Sequence, residues 1–173
     1  MPSPQRLRKF DAVFEPISTL PLSVLINDVA GFCIAQLAIR NLTEYTAADL
    51  VRSLDLNVPF MAHVSRILLP QLAANGPALM MLNLSSAARM GIPGVAPYSG
   101  CKGFIISLNA AMAREMAAAS KEVDCLTIIS SDVRTQSNTV GLSPVSPDAR
   151  QFAKAMLDRA PRAVKGGWLE CLP

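Results

Sequence analysis

Short apolar runs alternate with longer stretches of helical periodicity along this chain. Leu22-Ser-Val-Leu-Ile-Asn27 is aliphatic and β-branched and lies between Pro21 and Gly31, which predicts a short buried strand. Leu79-Met-Met-Leu-Asn-Leu84 and Val123-Asp-Cys-Leu-Thr-Ile-Ile129 predict two more. Thr46 offers an N-cap to a helix whose apolar positions (Leu50, Leu54, Val58, Met61, Ile67, Leu68) recur at about every 3.6 residues. Pro59 predicts a kink in it, and Pro70 with Asn75-Gly76 predicts its end. A second long helix is expected from Tyr98 to about Ser120. Phe104, Ile105, Ile106, Leu108, Ala110, Ala111 and Met112 make it apolar on nearly every face, so it should be buried on more than one side. Gly91, Pro93, Gly94 and Pro97 make residues 85–97 a loop. Residues 4–15 carry a weak helical pattern ending near Pro16, and residues 31–45 give no clear assignment. Ser146-Pro147 reads as the cap and first residue of a last helix reaching about Arg159. Strand, helix, strand, helix, strand in this order predicts an α/β fold with a parallel sheet.

Composition narrows the function classes. A chain of 173 residues is expected to be one domain, 1–173. With 51% hydrophobic and 17% charged residues it is no disordered segment. No apolar run reaches the roughly 20 residues of a membrane span. Arg6, Arg8 and Lys9 are followed by Asp11 and Glu15 instead of an apolar stretch, so the N-terminus does not read as a secretory signal. The 16 basic and 13 acidic residues are scattered, which gives no footprint for nucleic acid. Cys33, Cys101, Cys125 and Cys171 form no paired motif and have no metal-ligand spacing. The expectation is four reduced thiols in a cytoplasmic protein. The single histidine, His63, lies within an apolar helical run, which also disfavours a Ser-His-Asp hydrolase.

One constellation carries chemistry. Asn83-Leu-Ser85-Ser86 closes a predicted strand, and Tyr98-Ser-Gly-Cys-Lys102 opens a predicted helix. The carboxyl ends of parallel strands are where open α/β sheets place ligands. Tyr98 and Lys102 are four residues apart and so share a helix face. A nearby ammonium is expected to stabilise the phenolate and lower the tyrosine pKa, making the phenol a general acid or base for a carbonyl or alcohol oxygen. A neighbouring serine hydroxyl could bond the same oxygen. Taken alone, Tyr-x-x-x-Lys occurs by chance in many helices as a surface tyrosine beside a solvated lysine. The preceding strand, the serine pair, the Gly/Pro loop and the apolar helix lift it above that reading.

With these motifs the sequence resembles the short-chain dehydrogenase/reductase family. Val24-Leu-Ile-Asn27-Asp-Val-Ala-Gly31 is similar to that family's Asn-Asn-Ala-Gly or Asn-Asn-Val-Gly segment, and Asn57 in Leu54-Asp-Leu-Asn57-Val to its helix asparagine. The stretch from Asn83 to Phe104, and Ser146-Pro-Asp-Ala-Arg-Gln-Phe, look most like the branch of very-long-chain 3-oxoacyl-CoA reductases and 17-beta-hydroxysteroid dehydrogenases. The resemblance runs from about residue 10 to about residue 160. It implies a partial doubly wound, Rossmann-like sheet and reduction of a small-molecule carbonyl (3-oxoacyl, steroid-like or secondary-metabolite) with NADP(H), NAD(H) remaining open. Tyr98 would be the proton donor, Lys102 would lower its pKa and bind the nicotinamide ribose, and Asn57 would hold a relay water. Ser86 would orient the carbonyl, with Ser85 as the alternative. Asn27 would line the cofactor crevice, and Val133 and Thr135 would meet the carboxamide. The resemblance also implies a homodimer through the helices around 46–75 and 98–120, and it raises association with the endoplasmic reticulum.

Four departures from the family pattern stand out. Asp28 and Ala30 replace the second Asn and the Gly of the Asn-Asn-Val-Gly form of the strand-end motif. Ser130-Ser131 replaces a Pro-Gly. The loop leaves Ser85, not Ser86, at the commoner thirteen-residue separation from Tyr98. Most consequential, none of the nine glycines forms a Gly-rich pyrophosphate turn ahead of Asn27. The N-terminal strands of the doubly wound sheet are therefore expected to be missing, leaving an exposed strand edge. A catalytically inactive remnant that serves as a binding partner is the alternative to a working reductase.

Overall fold

The computed structural model describes residues 12–17, 19–32, 39–136, 138–139 and 142–172. Four strands, Val24–Asn27 (β1), Ala78–Ser85 (β2), Val123–Ser130 (β3) and Glu170–Cys171 (β4), form a parallel sheet in the order β1-β2-β3-β4. β2 and β3 pair along their whole length, from Ala78 opposite Val123 to Ser85 opposite Ser130. The helices are Ala47–Asn57 (α1), Pro59–Ala74 (α2), Ala87–Met90 (α3), Ala96–Ala118 (α4) and Ala149–Lys165 (α5).

The period-2 alternation of the two central strands builds two cores. Met80, Leu82 and Leu84 of β2, with Val123, Cys125 and Ile129 of β3, pack with Met61, Leu69 and Leu72 of α2 and Ile105 and Met112 of α4. Met81, Leu126 and Ile128 face the other way, against Met156, Ala160 and Ala163 of α5. Helices thus cover both faces of the central sheet, which explains why its strands read as continuous apolar runs. The buried Asn109 of α4 donates to the Thr127 hydroxyl of β3 at 2.8 Å, so the one polar side chain facing inward from β3 is paired.

Local chemistry sets the helix ends. The Thr46 hydroxyl accepts from the Asp49 amide while Asp49 accepts from the Thr46 amide, a reciprocal cap at the predicted start of α1. Pro59 does more than kink this run: it occupies the first turn of a separate helix, α2, beyond a break at Val58. Pro70 does not stop α2. It sits on the exposed side, where water can replace the bond the ring removes, and the helix continues to Ala74 before Asn75.

Other expectations are corrected. β1 is not buried: Val24 and Ile26 are 53% and 44% exposed, because among the described residues only β2 pairs with this edge strand. The last helix starts at Ala149, capped by Asp148 and not by Ser146, and it runs through Pro161 to Lys165. Asp148 and Gln151 satisfy each other's backbone amides at 2.8 and 2.9 Å, whereas the Ser146 amide turns back to the Ser143 carbonyl. Residues 85–97 contain α3, which ends at Gly91 in the left-handed region. The α4 helix is open along one side, where Phe104 is half exposed. Residues 39–45 include a short 3-10 turn, Leu42–Glu44. Of the N-terminal helical pattern, residues 12–14 are helical and continue as a 3-10 turn, Glu15–Ile17; residues 1–11 lie outside the described residues. Cys101, Cys125 and Cys171 are buried thiols that form no disulfide among the described residues, and Cys33 lies outside them. No helix among the described residues is long and apolar enough to cross a membrane.

Candidate active site

The carboxyl ends of β1 and β2 and the first turns of α4 converge. Ser85 is the last residue of β2, and its hydroxyl accepts from the Ala87 amide at 3.3 Å, which leaves its proton free. That hydroxyl hydrogen-bonds the Tyr98 phenol. Ser86 has a different task. It is the cap residue of α3, in helical backbone geometry, its amide donates to the Ser130 carbonyl at 2.7 Å, and its carbonyl accepts from Arg89 and Met90. The side chain that meets Tyr98 is therefore Ser85, the residue at the thirteen-residue separation, and not the Ser86 preferred from the motif. Gly91 and Gly94, both at positive φ, give the connecting loop the sharp turns that permit this closure.

Lys102 is 1% exposed and lies one turn after Tyr98 on α4, with Nζ 5.6 Å from the phenol ring centroid. Its Nζ reaches the Asn83 main-chain carbonyl at 3.5 Å. Burial pushes this ammonium down to about 8, while the charge of Asp28 pulls the other way. The phenol is shifted opposite to the sequence expectation. Burial raises Tyr98 above the usual tyrosine value, Asp28 and Cys101 push it further, and the Ser85 hydrogen bond alone draws it down. Lys102 is not among the groups that move it. Phe32 packs against Tyr98, the two ring centroids 4.7 Å apart.

The remaining expected residues divide into two groups. Asn27, at the end of β1, is buried, with Nδ2 3.5 Å from the Met61 carbonyl and Oδ1 unpartnered. Asn57 is fully buried and brackets Gly31, accepting from its amide at 3.1 Å and donating to its carbonyl at 3.0 Å. Its Nδ2 also reaches the Ser53 carbonyl. Asn57 thereby fixes the chain leaving β1. Val133 and Thr135 lie past β3, where the contacts that hold them are with Asn138: its Nδ2 donates to the Val133 carbonyl at 3.0 Å and its amide to Thr135 Oγ1 at 3.1 Å. The Ser130 hydroxyl, in place of the family's proline, donates to the Leu84 carbonyl at 2.5 Å and ties the ends of β2 and β3 together. The sequence pattern gives Asn138 no role, and gives Asn83 none beyond its place in the strand-end cluster. The Asn83 side chain reaches Asp28 from far along the chain, which no local pattern marks, whereas Asn138 bonds only a few positions back.

A family model described as short chain dehydrogenase matches residues 8–141. The chain belongs to this family. No curated protein matches it. Among solved structures, a short-chain dehydrogenase relative from Pseudomonas syringae is 19% identical with a TM-score of 0.78, covering 99% of this chain and 69% of that one. One from Sphingobium yanoikuyae, in complex with NADPH, is 16% identical with a TM-score of 0.69 and coverage of 99% and 64%. One from Burkholderia phymatum, in complex with NAD, is 19% identical with a TM-score of 0.70 and coverage of 96% and 66%. This short-chain dehydrogenase chain thus spans 64–69% of the length of these structures.

The donor set suits the nicotinamide-ribose end of a dinucleotide. Two buried acceptors, Asn27 Oδ1 and Asn83 Oδ1, lack protein partners, and the buried Lys102 ammonium makes one long bond. Hydroxyl donors and acceptors of a ribose would complete these groups. For the pyrophosphate the fit is poorer, since no Gly-rich turn lies ahead of β1 among the described residues.

Proposed function

We propose that this chain carries the proton-transfer and nicotinamide end of an NADP(H)-dependent carbonyl reductase. The observation that carries this reading is the convergence of Ser85, Tyr98 and Lys102 at the carboxyl end of a parallel sheet. The nicotinamide, when bound, supplies the hydride. The chain's own residues do the rest. The Ser85 proton bonds the substrate oxygen and orients the carbonyl, and Tyr98 donates its proton to that oxygen as negative charge develops on it. A phenol held above its usual pKa is protonated at neutral pH, as a proton donor must be. Lys102 sits below the ring as a buried cation, ready to bond ribose hydroxyls and stabilise the phenolate left after transfer. Asn57 keeps Gly31 and the end of β1 in place; its part in ordering a relay water, and the contact of Val133 and Thr135 with the carboxamide, belong to this proposal.

The substrate class in this reading is a ketone of the 3-oxoacyl, steroid-like or secondary-metabolite kind, as the motif resemblance implies. A homodimer through α1, α2 and α4 is part of the proposal, supported by the exposed Val51 and Leu54 of α1 and Phe104 of α4. Sedimentation of wild-type chain against Phe104→Glu checks it.

The test is NADPH binding and ketone reduction by the purified chain, with Tyr98→Phe as the control and NADH in competition. Micromolar binding with Tyr98-dependent reduction supports the proposal. A folded chain that binds neither nucleotide overturns it in favour of the inactive remnant.

A further inference from the structure

We propose that Phe32 is a substrate-contacting residue whose ring extends the Ser85–Tyr98 site into a platform for a ketone bearing a flat ring, and so selects aryl and other planar cyclic ketones over small aliphatic ones. This deepens the carbonyl-reductase reading and rests on it. Phe32 lies beyond β1, in the stretch to which the sequence pattern assigns no element. The structure sets its ring against that of Tyr98, with centroids 4.7 Å apart and planes tilted by 41°. That separation lies within the range in which tilted aromatic pairs attract each other.

A single exposed apolar side chain is ordinary on a protein surface. Phe32 differs in what it adjoins and in how it is held. It remains 55% exposed although it packs on Tyr98, so the contact uses only part of its surface. Its backbone is fixed from the inside. The fully buried Asn57 accepts from the Gly31 amide and donates to the Gly31 carbonyl. That carbonyl belongs to the planar peptide unit that carries the Phe32 amide, so the bond sets the plane from which Phe32 leaves.

The Ser85 hydroxyl meets the Tyr98 phenol, and a carbonyl oxygen is received where these two groups meet. The carbonyl carbon lies about 1.2 Å from its oxygen, so both substituents of a bound ketone start beside the phenol. One that runs along the Tyr98–Phe32 pair covers apolar surface that water otherwise wets. A flat ring gains most there, because ring–ring geometry adds to the area term. A flexible acyl chain gives up rotamer freedom to lie on the same surface. A methyl or ethyl group covers little of it. Of the ketone classes the motif resemblance leaves open, Phe32 therefore favours the ring-bearing ones over a 3-oxoacyl chain.

Wild type, Phe32→Ala and Phe32→Tyr are compared with NADPH on propiophenone, cyclohexyl ethyl ketone and butanone. Leu157→Ala, at an exposed apolar position of α5 across the sheet, is the control. Phe32→Ala should raise KM for propiophenone about tenfold with kcat nearly unchanged. The puckered ring of cyclohexyl ethyl ketone should lose less, and KM for butanone and Kd for NADPH should stay as they are. Phe32→Tyr, which keeps the ring, and Leu157→Ala should behave as wild type. An unchanged KM for propiophenone in Phe32→Ala overturns the proposal and leaves the reductase reading intact. An equal rise for propiophenone and butanone also overturns it, since Phe32 then serves only to pack Tyr98. For a chain that reduces no ketone, saturation-transfer NMR with propiophenone decides. Binding lost in Phe32→Ala leaves the ring contact standing and overturns the reductase reading, and no binding to wild type overturns both.

Discussion

The Ser85 hydroxyl meets the Tyr98 phenol while its neighbour Ser86 opens α3. Adjacent residues at a strand end cannot both face the same side, so the fold assigns one serine to the site and the other to a helix cap. Ser85→Ala should therefore cost about 10²–10³-fold in ketone reduction, the usual loss of one hydrogen-bond donor to developing charge. Ser86→Ala should stay within a few-fold. Steady-state rates with NADPH and a common ketone decide between them; a larger loss at Ser86 would reverse the assignment.

Lys102 and Cys125 give the fold a stability profile with a turning point. Burial lowers the lysine from 10.5 to about 8 in the folded chain. Between those values the unfolded chain holds more protons, so stability rises with pH through this window, by something of the order of 3 kcal/mol in all. Burial raises the Cys125 thiol from 9.0 to about 11, and the negative charge of Asp124 adds to it. Here the folded chain holds more protons, so stability falls from pH 9 to 11. The urea midpoint should climb from pH 8 to about 9 and then level. Lys102→Met should abolish the climb, and Cys125→Ala should let it continue beyond pH 9.

The Asp148–Gln151 pair caps α5. Asp148→Ala should lower stability by about 1 kcal/mol, the common cost of an N-cap, whereas Ser146→Ala should change it by less than about 0.5 kcal/mol. Chemical denaturation of the two variants checks this.

Asn57 binds both polar backbone groups of Gly31. Asn57→Ala should cost about 2–3 kcal/mol, because it strands an amide and a carbonyl that lose their partners. Asn57→Asp should not restore the Gly31 carbonyl, since a carboxylate has no proton to give. Hydrogen exchange at the Gly31 amide should quicken in the alanine variant and remain slow in the aspartate variant, which retains the acceptor.

Much of this protein was legible in its sequence because the signals are local. The apolar alternation of residues 79–84 and 123–129, the Thr46 cap and the Tyr98–Lys102 spacing each depend on neighbours a few residues apart, and the parallel α/β order follows from their succession. Tertiary structure decided what depends on distance. β4 is two residues long, too short for any periodicity, and exists because Thr127 and Ile128 offer it a free edge. Whether Val24 and Ile26 are buried turned on what pairs with β1, which no local pattern records. The choice of Ser85 came from the closure of the 85–97 loop. The direction of the Tyr98 shift came from burial and from Asp28, seventy positions away in the chain, while the ammonium four residues along faces the ring. Residue types and spacings determine which chemistry can be assembled; solvent exclusion and long-range charge, which exist only once the chain has closed, decide how each group is tuned.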